Sequence, residues 1–228
     1  MDICPGEKAL VVLSGGQDST TCLYWALSRF QREHVETLTF DYGQRHRIEI
    51  DCASTIARLA GVAHHTLPIN TFSAIGGNAL TSGTIAVQDS SPDSSALPNT
   101  FVPGRNLIFL TFAAALAYTR GISHLVTGVA QTDYSGYPDC RLETLSALEK
   151  AINLGMESSI TIHAPLMFKS KKETVLMARD LGALDALAYS HTCYNGLQPP
   201  CGTCPACRLR AKGFDEAGIP DPLLKRFT

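Results

Sequence analysis

The sequence is poor in charge: Lys, Arg, Asp and Glu make up 18% of its 228 residues and nearly cancel, leaving a net charge of −2. Without a broad positive field there is no general attraction for polyphosphate backbones, so nucleic acid is not expected as a partner, although a local basic patch is compatible with the sum. No apolar run reaches the length that spans a bilayer, so no membrane partner is expected either. Met1 to Lys8 lack the basic start and long apolar stretch of a secretory signal, and Ala9–Leu13 is too short to supply one. These absences predict a cytoplasmic protein whose thiols stay reduced. Internal repeats are lacking too, and the length fits one α/β domain, alone or with a small appendix. What is plentiful is apolar material, since 45% hydrophobic residues can bury a sizeable core.

Short apolar runs alternate with amphipathic stretches, a pattern that predicts a parallel sheet covered by helices. Strands are expected at Ala9–Leu13, Glu36–Phe40, Ala63–Leu67, His124–Thr127 and Ser159–Ile162. Helices are expected near Ser19–Phe30, Arg47–Ala60, Asn106–Tyr118, Leu142–Leu154, Lys172–Leu181 and Cys204–Ala217. In the second helix Ile48, Cys52, Ile56 and Leu59 should face inward, and Gly61 should end it. In the fourth, Leu142, Leu145, Leu148 and Ile152 should do so. Between Ile75 and Pro98 the pattern gives way to Gly, Ser, Thr, Asp and Pro, which reads as a mobile lid or a disordered insertion. The division expected is an α/β domain over residues 1–189 and a small metal-binding segment with a helix over residues 190–228.

The first strand runs straight into Ser14-Gly15-Gly16-Gln17-Asp18-Ser19-Thr20, and a helix follows at once. That arrangement can cradle an anion. Glycines let backbone N–H groups approach phosphate oxygens, and the helix directs its unpaired donors and positive end to the same place. Ser14, Ser19 and Thr20 add hydroxyls, and Asp18 can hold Mg2+ against the phosphates. The loop lacks the Gly-Lys-Ser/Thr ending of a Walker A motif and the spacing of a dinucleotide fingerprint. A plain glycine turn capped by Asp18 is the alternative.

Other polar clusters fall at strand ends, where doubly wound sheets bind ligands. Asp41 to Arg47, with Gln44 and Arg45 among them, follow the second strand, where they face an anion or simply start a solvated helix. Arg105 and Asn106 open a helix after Pro103-Gly104. Arg105 can clamp a phosphate or carboxylate through paired donors, or Asn106 can merely cap the helix. Asp133, Tyr134, Tyr137 and Asp139 follow the fourth strand and suit a flat heterocycle rich in N–H donors. Lys169, Lys171 and Lys172 precede a helix, and Lys169 is the one expected to reach the phosphates.

Eight cysteines need an account in a reducing compartment. Cys4, Cys22, Cys52 and Cys140 are scattered and read as small core residues. The others, Cys193-x7-Cys201-x2-Cys204-x2-Cys207, put four thiolates within fifteen residues. Four sulfurs suit a closed tetrahedral Zn2+ site, while the tight spacing also occurs around iron–sulfur clusters. His191 is close by and reads as a core or supporting residue.

The Ser14–Ser19 loop resembles the signature of the ATP pyrophosphatases. Phe40–Arg47, Pro98–Asn106, Thr127–Val129 and Asp133–Arg141, with the loop and the cysteines, resemble one member family, the 7-cyano-7-deazaguanine synthases, over about residues 8 to 210. The resemblance implies an adenine nucleotide alpha hydrolase-like, Rossmann-like sheet. It implies an ATP site over Leu13, Ser14, Gly15, Gly16, Gln17, Asp18, Ser19, Thr20, Thr21, Cys22 and Leu23, with Asp18 and Lys169 in catalytic roles. Substrate would meet Gln44, Arg45, Arg105, Asn106, Asp133, Tyr134, Tyr137 and Asp139, and Cys193, Cys201, Cys204 and Cys207 would hold one structural Zn2+. The implied reaction adenylates a deazapurine carboxylate, adds ammonia, and adenylates the resulting amide to leave a nitrile, with Mg2+ and ATP consumed to AMP and pyrophosphate. No glutamine-hydrolysing region is visible, so free ammonia is the expected nitrogen source, and a homodimer stays open. The competing readings are a tRNA-thiolating pyrophosphatase using Cys22 or Cys140, and a non-catalytic nucleotide- or zinc-binding module.

Overall fold

Alternation along the first strand sets the layering of the molecule. The computed structural model describes residue 4 and residues 6–44, 47–80, 97, 99–132 and 137–227. Its elements in chain order are β1 (Ala9–Val12), α1 (Gln17–Leu27), β2 (Val35–Asp41), α2 (Ile48–Ala60), β3 (Ala63–Pro68), a short α3 (Thr71–Ile75) and α4 (Arg105–Thr119). There follow β4 (His124–Val126), α5 (Leu142–Met156), β5 (Thr161–His163), α6 (Lys171–Asp180), a short α7 (Leu184–Leu187) and α8 (Pro205–Ala217). The strands form one sheet in the order β3-β2-β1-β4-β5, with every neighbouring pair parallel. Because side chains alternate along a strand, Ala9, Val11 and Leu13 enter one core with Cys22 and Leu23 of α1 and Ala53 and Ile56 of α2. Leu10 enters the other core, with Ala113 and Ala117 of α4 and Ile152 of α5. Both faces are therefore covered, as a parallel sheet requires.

The chain leaves β1 for β2 on one side and returns to β4 on the other. The loops after β1 and β4 thus diverge and leave a crevice at the carboxyl edge of the sheet. At that edge α8 lies close against α6: a Cβ on Gly213 would sit 2.9 Å from Lys171 Cβ. Val175, Ala178, Leu187 and Phe214 form the small core beneath that contact. Arg210 pins the segment further, pairing with Asp221 at 2.6 Å and donating to Ser190 Oγ at 2.7 Å and Thr192 Oγ1 at 3.0 Å.

Several expectations need correction. Leu59 and Leu142 are each 45% exposed rather than inward. In α2 the buried face is completed by Ala53, Ala57 and Ala60, small residues that turn the packed stripe away from Leu59. Leu142 is the first residue of α5 and leaves the packing to Leu145 and Ile152. Cys4 is exposed, whereas Cys22, Cys52 and Cys140 are buried. The interval Ile75–Pro98 lies mostly outside the described residues, apart from residues 75–80 and 97.

Candidate functional site

The loop after β1 is held in shape mainly by contacts with itself. Ser14 N donates to Ser19 Oγ at 3.1 Å, the two serine hydroxyls lie 3.0 Å apart, and Ser19 Oγ reaches Gly16 O at 3.2 Å. Gly15 adopts φ +82°, where a side chain is strained, and a Cβ there would sit 2.3 Å from the carbonyl oxygen of Glu49. Gly128, after β4, is equally confined: its Cβ would lie 2.9 Å from Ser19 N. Two glycines from different strands therefore let three segments converge on one loop.

This loop opens into a cavity of about 340 Å³. Leu13, Ser14, Gly16, Gln17, Asp18 and Ser19 line it, so most of the expected phosphate residues do face the crevice. Thr20, Thr21, Cys22 and Leu23 do not line it, because each is fully buried behind the loop. The hydroxyls of Thr20 and Thr21 are spent on their own helix, bonding Gly16 O at 2.7 Å and Gln17 O at 2.9 Å. Burial pushes the Cys22 thiol well above its ordinary value, with Asp18 adding to the shift, which leaves it a poor nucleophile.

Two buried polar atoms of the loop, Asp18 Oδ1 and Gln17 Nε2, have no hydrogen-bond partner among the described residues. Atoms of that kind are costly to bury unless something else meets them. Asp18 Oδ2, by contrast, receives Lys171 Nζ at 2.6 Å. Lys171 sits in the first turn of α6, whose start is fixed by a reciprocal cap between Ser170 and Glu173. Lys169 does not line the cavity; it borders a shallow depression with Trp25, Arg29 and Asp180. The lysine brought to the loop is therefore Lys171.

The wall opposite the loop is assembled from separate segments: Tyr42 after β2, Glu49 in α2, Arg105 and Asn106 in α4, Tyr137 before α5, and His191 and Tyr194 in the cysteine segment. Arg105 stands over the Tyr42 ring at 6.0 Å. Burial works against its charge, but Tyr42, Tyr137, Tyr194 and Asp139 outweigh that and raise its pKa, so it is a fixed cation. Burial pushes the Glu49 carboxyl up to about 7, against the pull of Arg105. Tyr137 shares a 2.6 Å hydrogen bond with Thr100 Oγ1.

Of the other residues expected to meet substrate, Gln44 lines the cavity but is tied down, accepting from Tyr42 N at 2.8 Å and donating to Phe40 O at 3.3 Å. Asp139 is buried outside the lining, where it accepts the Asn106 backbone N–H at 3.0 Å and so closes the start of α4. Arg45, Asp133 and Tyr134 lie outside the described residues. Glu49 and Tyr194 were not singled out by sequence reasoning; Tyr42 entered only within the Phe40–Arg47 motif, and Lys171 only as a lysine beside the preferred Lys169. Glu49 carried one available signal, an acidic residue in the first turn of the helix entered from a strand-end motif.

The sulfurs of Cys193, Cys201, Cys204 and Cys207 all lie within 4.8 Å of one another, and Cys201 Sγ is 3.9 Å from Cys207 Sγ. Four sulfurs about 2.3 Å from a central ion would stand roughly 3.8 Å apart, so the cluster fits a single tetrahedral metal. An iron–sulfur cube spreads its thiolates over four irons and holds them further apart. The backbone N–H of Cys204 donates to Cys201 Sγ at 3.3 Å, and that of Cys201 to Cys193 Sγ at 3.5 Å, so backbone donors meet two of the four sulfurs.

Two solved structures share the fold. A U34-tRNA thiolase, NcsA, from Methanococcus maripaludis with its 4Fe-4S cluster has a TM-score of 0.52 at 18% identity, over 98% of this chain and 68% of that one. A 4-thiouridine synthetase in complex with RNA and ATP also gives 0.52, at 20% identity, over 96% of this chain and 52% of that one. Sequence relatives are much nearer. A 7-cyano-7-deazaguanine synthase of Chromobacterium violaceum is 69% identical over 226 residues, covering 99% of this chain and 97% of that protein. The Bacillus subtilis protein of the same name is 51% identical over 212 residues, covering 92% and 94%. A family model for queuosine biosynthesis protein QueC matches residues 8–218. On that match and those identities, the chain belongs to the QueC family.

Proposed function

We propose that the protein converts 7-carboxy-7-deazaguanine and ammonia to 7-cyano-7-deazaguanine, using one ATP for each of two activations and releasing AMP and pyrophosphate. The observation that carries this reading is the pair of unpartnered atoms, Asp18 Oδ1 and Gln17 Nε2, set in a glycine loop that opens on an aromatic-walled cavity. Relatives that share most of the chain carry the name of that synthase. The loop N–H groups and the start of α1 would hold the departing pyrophosphate. Lys171 would offset charge growing there, and Arg105, fixed among phenols, would turn the substrate's carboxylate toward the α-phosphorus. A carboxylate and an amide present an oxygen at the same place, so one loop can serve both activations.

Asp18 Oδ1 is the kind of oxygen Mg2+ takes, and bound there the ion would neutralise phosphate charge. The four cysteines, closed around one centre, would hold Zn2+ in a structural role and tie the start of α8 to the body. Ammonia, ATP and the heterocycle would be the small-molecule partners, with a homodimer left open. A reducing cytoplasm would keep these cysteines available to the metal.

The test is incubation with ATP, Mg2+, ammonium and 7-carboxy-7-deazaguanine, followed by mass analysis. AMP and the nitrile are expected. ADP in place of AMP would overturn the reading, and accumulation of the amide alone would remove its second half.

A further inference from the structure

Two carboxylates line the cavity. Asp18 is engaged by Lys171, whereas Glu49 accepts no hydrogen bond from any described residue. Its backbone carbonyl lies where a Cβ on Gly15 would strike it, so Glu49 is held against the phosphate loop itself. Its side chain enters the same space as Arg105. The chemistry proposed above leaves one need unmet by the loop, Lys171 and Arg105: the substrate nitrogen must shed protons, and cationic groups and N–H donors cannot take them.

We propose that Glu49 is the catalytic base of this site, its carboxylate taking protons from the substrate nitrogen in both halves of the reaction. The inference rests on the synthase reading. In the first half, ammonia's lone pair forms the C–N bond at the adenylated carboxyl carbon and the C–O bond to AMP breaks, its electrons leaving with AMP. The nitrogen, briefly cationic, gives its extra proton to Glu49. In the second half, the amide oxygen attacks the α-phosphorus and pyrophosphate departs. The nitrogen then loses both its hydrogens as protons, one to Glu49, which has returned its earlier proton to solvent, and the other to the phosphate of the departing AMP, while the C–O bond to AMP breaks and the C≡N bond is completed. No oxidant or reductant is needed.

The surroundings suit a base that works near neutrality. Arg105 from α4 is the cation that favours its ionised form, and burial opposes it. Tyr42, Tyr137, Tyr194 and His191 face the same cavity, as do Asp18 and Lys171 on the loop side. Cys52 and Asp51 stand nearby on α2 itself, where burial first and then Glu49 and Asp51 push the Cys52 thiol up to about 11, so it stays neutral there. A carboxyl held at about 7 is half ionised at neutral pH, which is where a general base is most effective.

Three measurements on Glu49→Gln, with Glu49→Asp beside it, test this. With ATP, Mg2+ and 7-carboxy-7-deazaguanine but no ammonia, pyrophosphate release in one turnover should be within about threefold of the parent for both variants, because adenylation moves no proton to Glu49. With ammonia, amide and nitrile formation should fall about 10²- to 10⁴-fold in the Gln variant and recover partly in the Asp variant. The parent's rate should rise with pH through about 7 and then level, a limb the Gln variant lacks. Equal losses in pyrophosphate release and in nitrile formation would overturn the proposal and leave Glu49 a positioning residue. So would an unchanged acid limb in the Gln variant. Should the Gln variant fail to fold, the Asp variant decides by whether that limb moves. If the unmodified protein releases no pyrophosphate at all, the synthase reading itself fails, a result distinct from the loss of Glu49's role alone.

Discussion

The two sides of the cavity are built in opposite ways. The loop side is nearly self-sufficient: its hydrogen bonds join Ser14, Gly16, Ser19 and Thr20, residues at most a few positions apart. The far side brings together Tyr42, Glu49, Arg105, Tyr137 and Tyr194, each from a different stretch of chain, and depends on the packing of α2 and α4 for its shape. Local contacts give the loop a rigid backbone, which on the proposed reading would recognise what every nucleotide shares. Distant contacts give the wall side chains whose identity can change without disturbing the loop, and on the proposed reading substrate choice would reside there.

The two sides meet at Gly15, and the comparison is most exposed there. Gly15→Ala demands a left-handed backbone of alanine and drives its Cβ into the Glu49 carbonyl. Since the obstacle is backbone, both sides must shift. Activity should fall beyond about 10³-fold, more than a single lost donor costs, and the melting temperature should drop as well, read by calorimetry. A variant of near-normal activity would show that loop and wall are not coupled through this contact.

Lys171→Met strikes the loop side alone. It removes the charge beside Asp18 without removing bulk, and kcat should fall about 10²- to 10³-fold, the scale of one preorganised electrostatic group. Pyrophosphate release should fall with nitrile formation, since on the proposed reading both activations would pass the same loop. Tyr137→Phe strikes the wall alone. It loses the hydrogen bond to Thr100, worth about 1 kcal/mol, so roughly a fivefold change is expected, seen in KM for the heterocycle and not for ATP. An effect on ATP instead would merge the two sides into one.

The same division explains what could be read from sequence. The type and position along the chain of the strands and main helices follow from apolar periodicity, because each is a property of a short window, whereas the strand order in the sheet does not. The loop was readable for the same reason. The cysteines were too, since short intervals between ligands leave few ways to arrange four sulfurs. The wall was readable only in fragments. Arg105 was visible as a cation at a helix start, but the ring of phenols that fixes it comes from three places in the chain. Asp139 was visible as an acid near a strand end, yet whether it faces ligand or closes α4 depends on where α4 lies. Thr20 and Thr21 look like phosphate ligands in the one-letter string, and only the phase of α1 turns their hydroxyls back onto Gly16 and Gln17.

The lysines beside α6 reduce this to a difference of two positions. Lys169 and Lys171 share a charge, a neighbourhood and a helix start, and sequence gives no reason to separate them. The Ser170–Glu173 cap does so: it fixes where α6 begins and thereby sends Lys171 toward Asp18, while Lys169 stays with Trp25 and Arg29. Lys169→Ala should therefore leave kcat and KM for ATP within about twofold, because a charge outside the cavity is weakened by solvent and salt. Stability should move by less than about 0.5 kcal/mol, as is usual for a surface position, and a urea titration would measure it. A loss on the scale expected for Lys171→Met would mean that α6 starts in a different register when nucleotide is bound, and the loop side could then no longer be regarded as rigid.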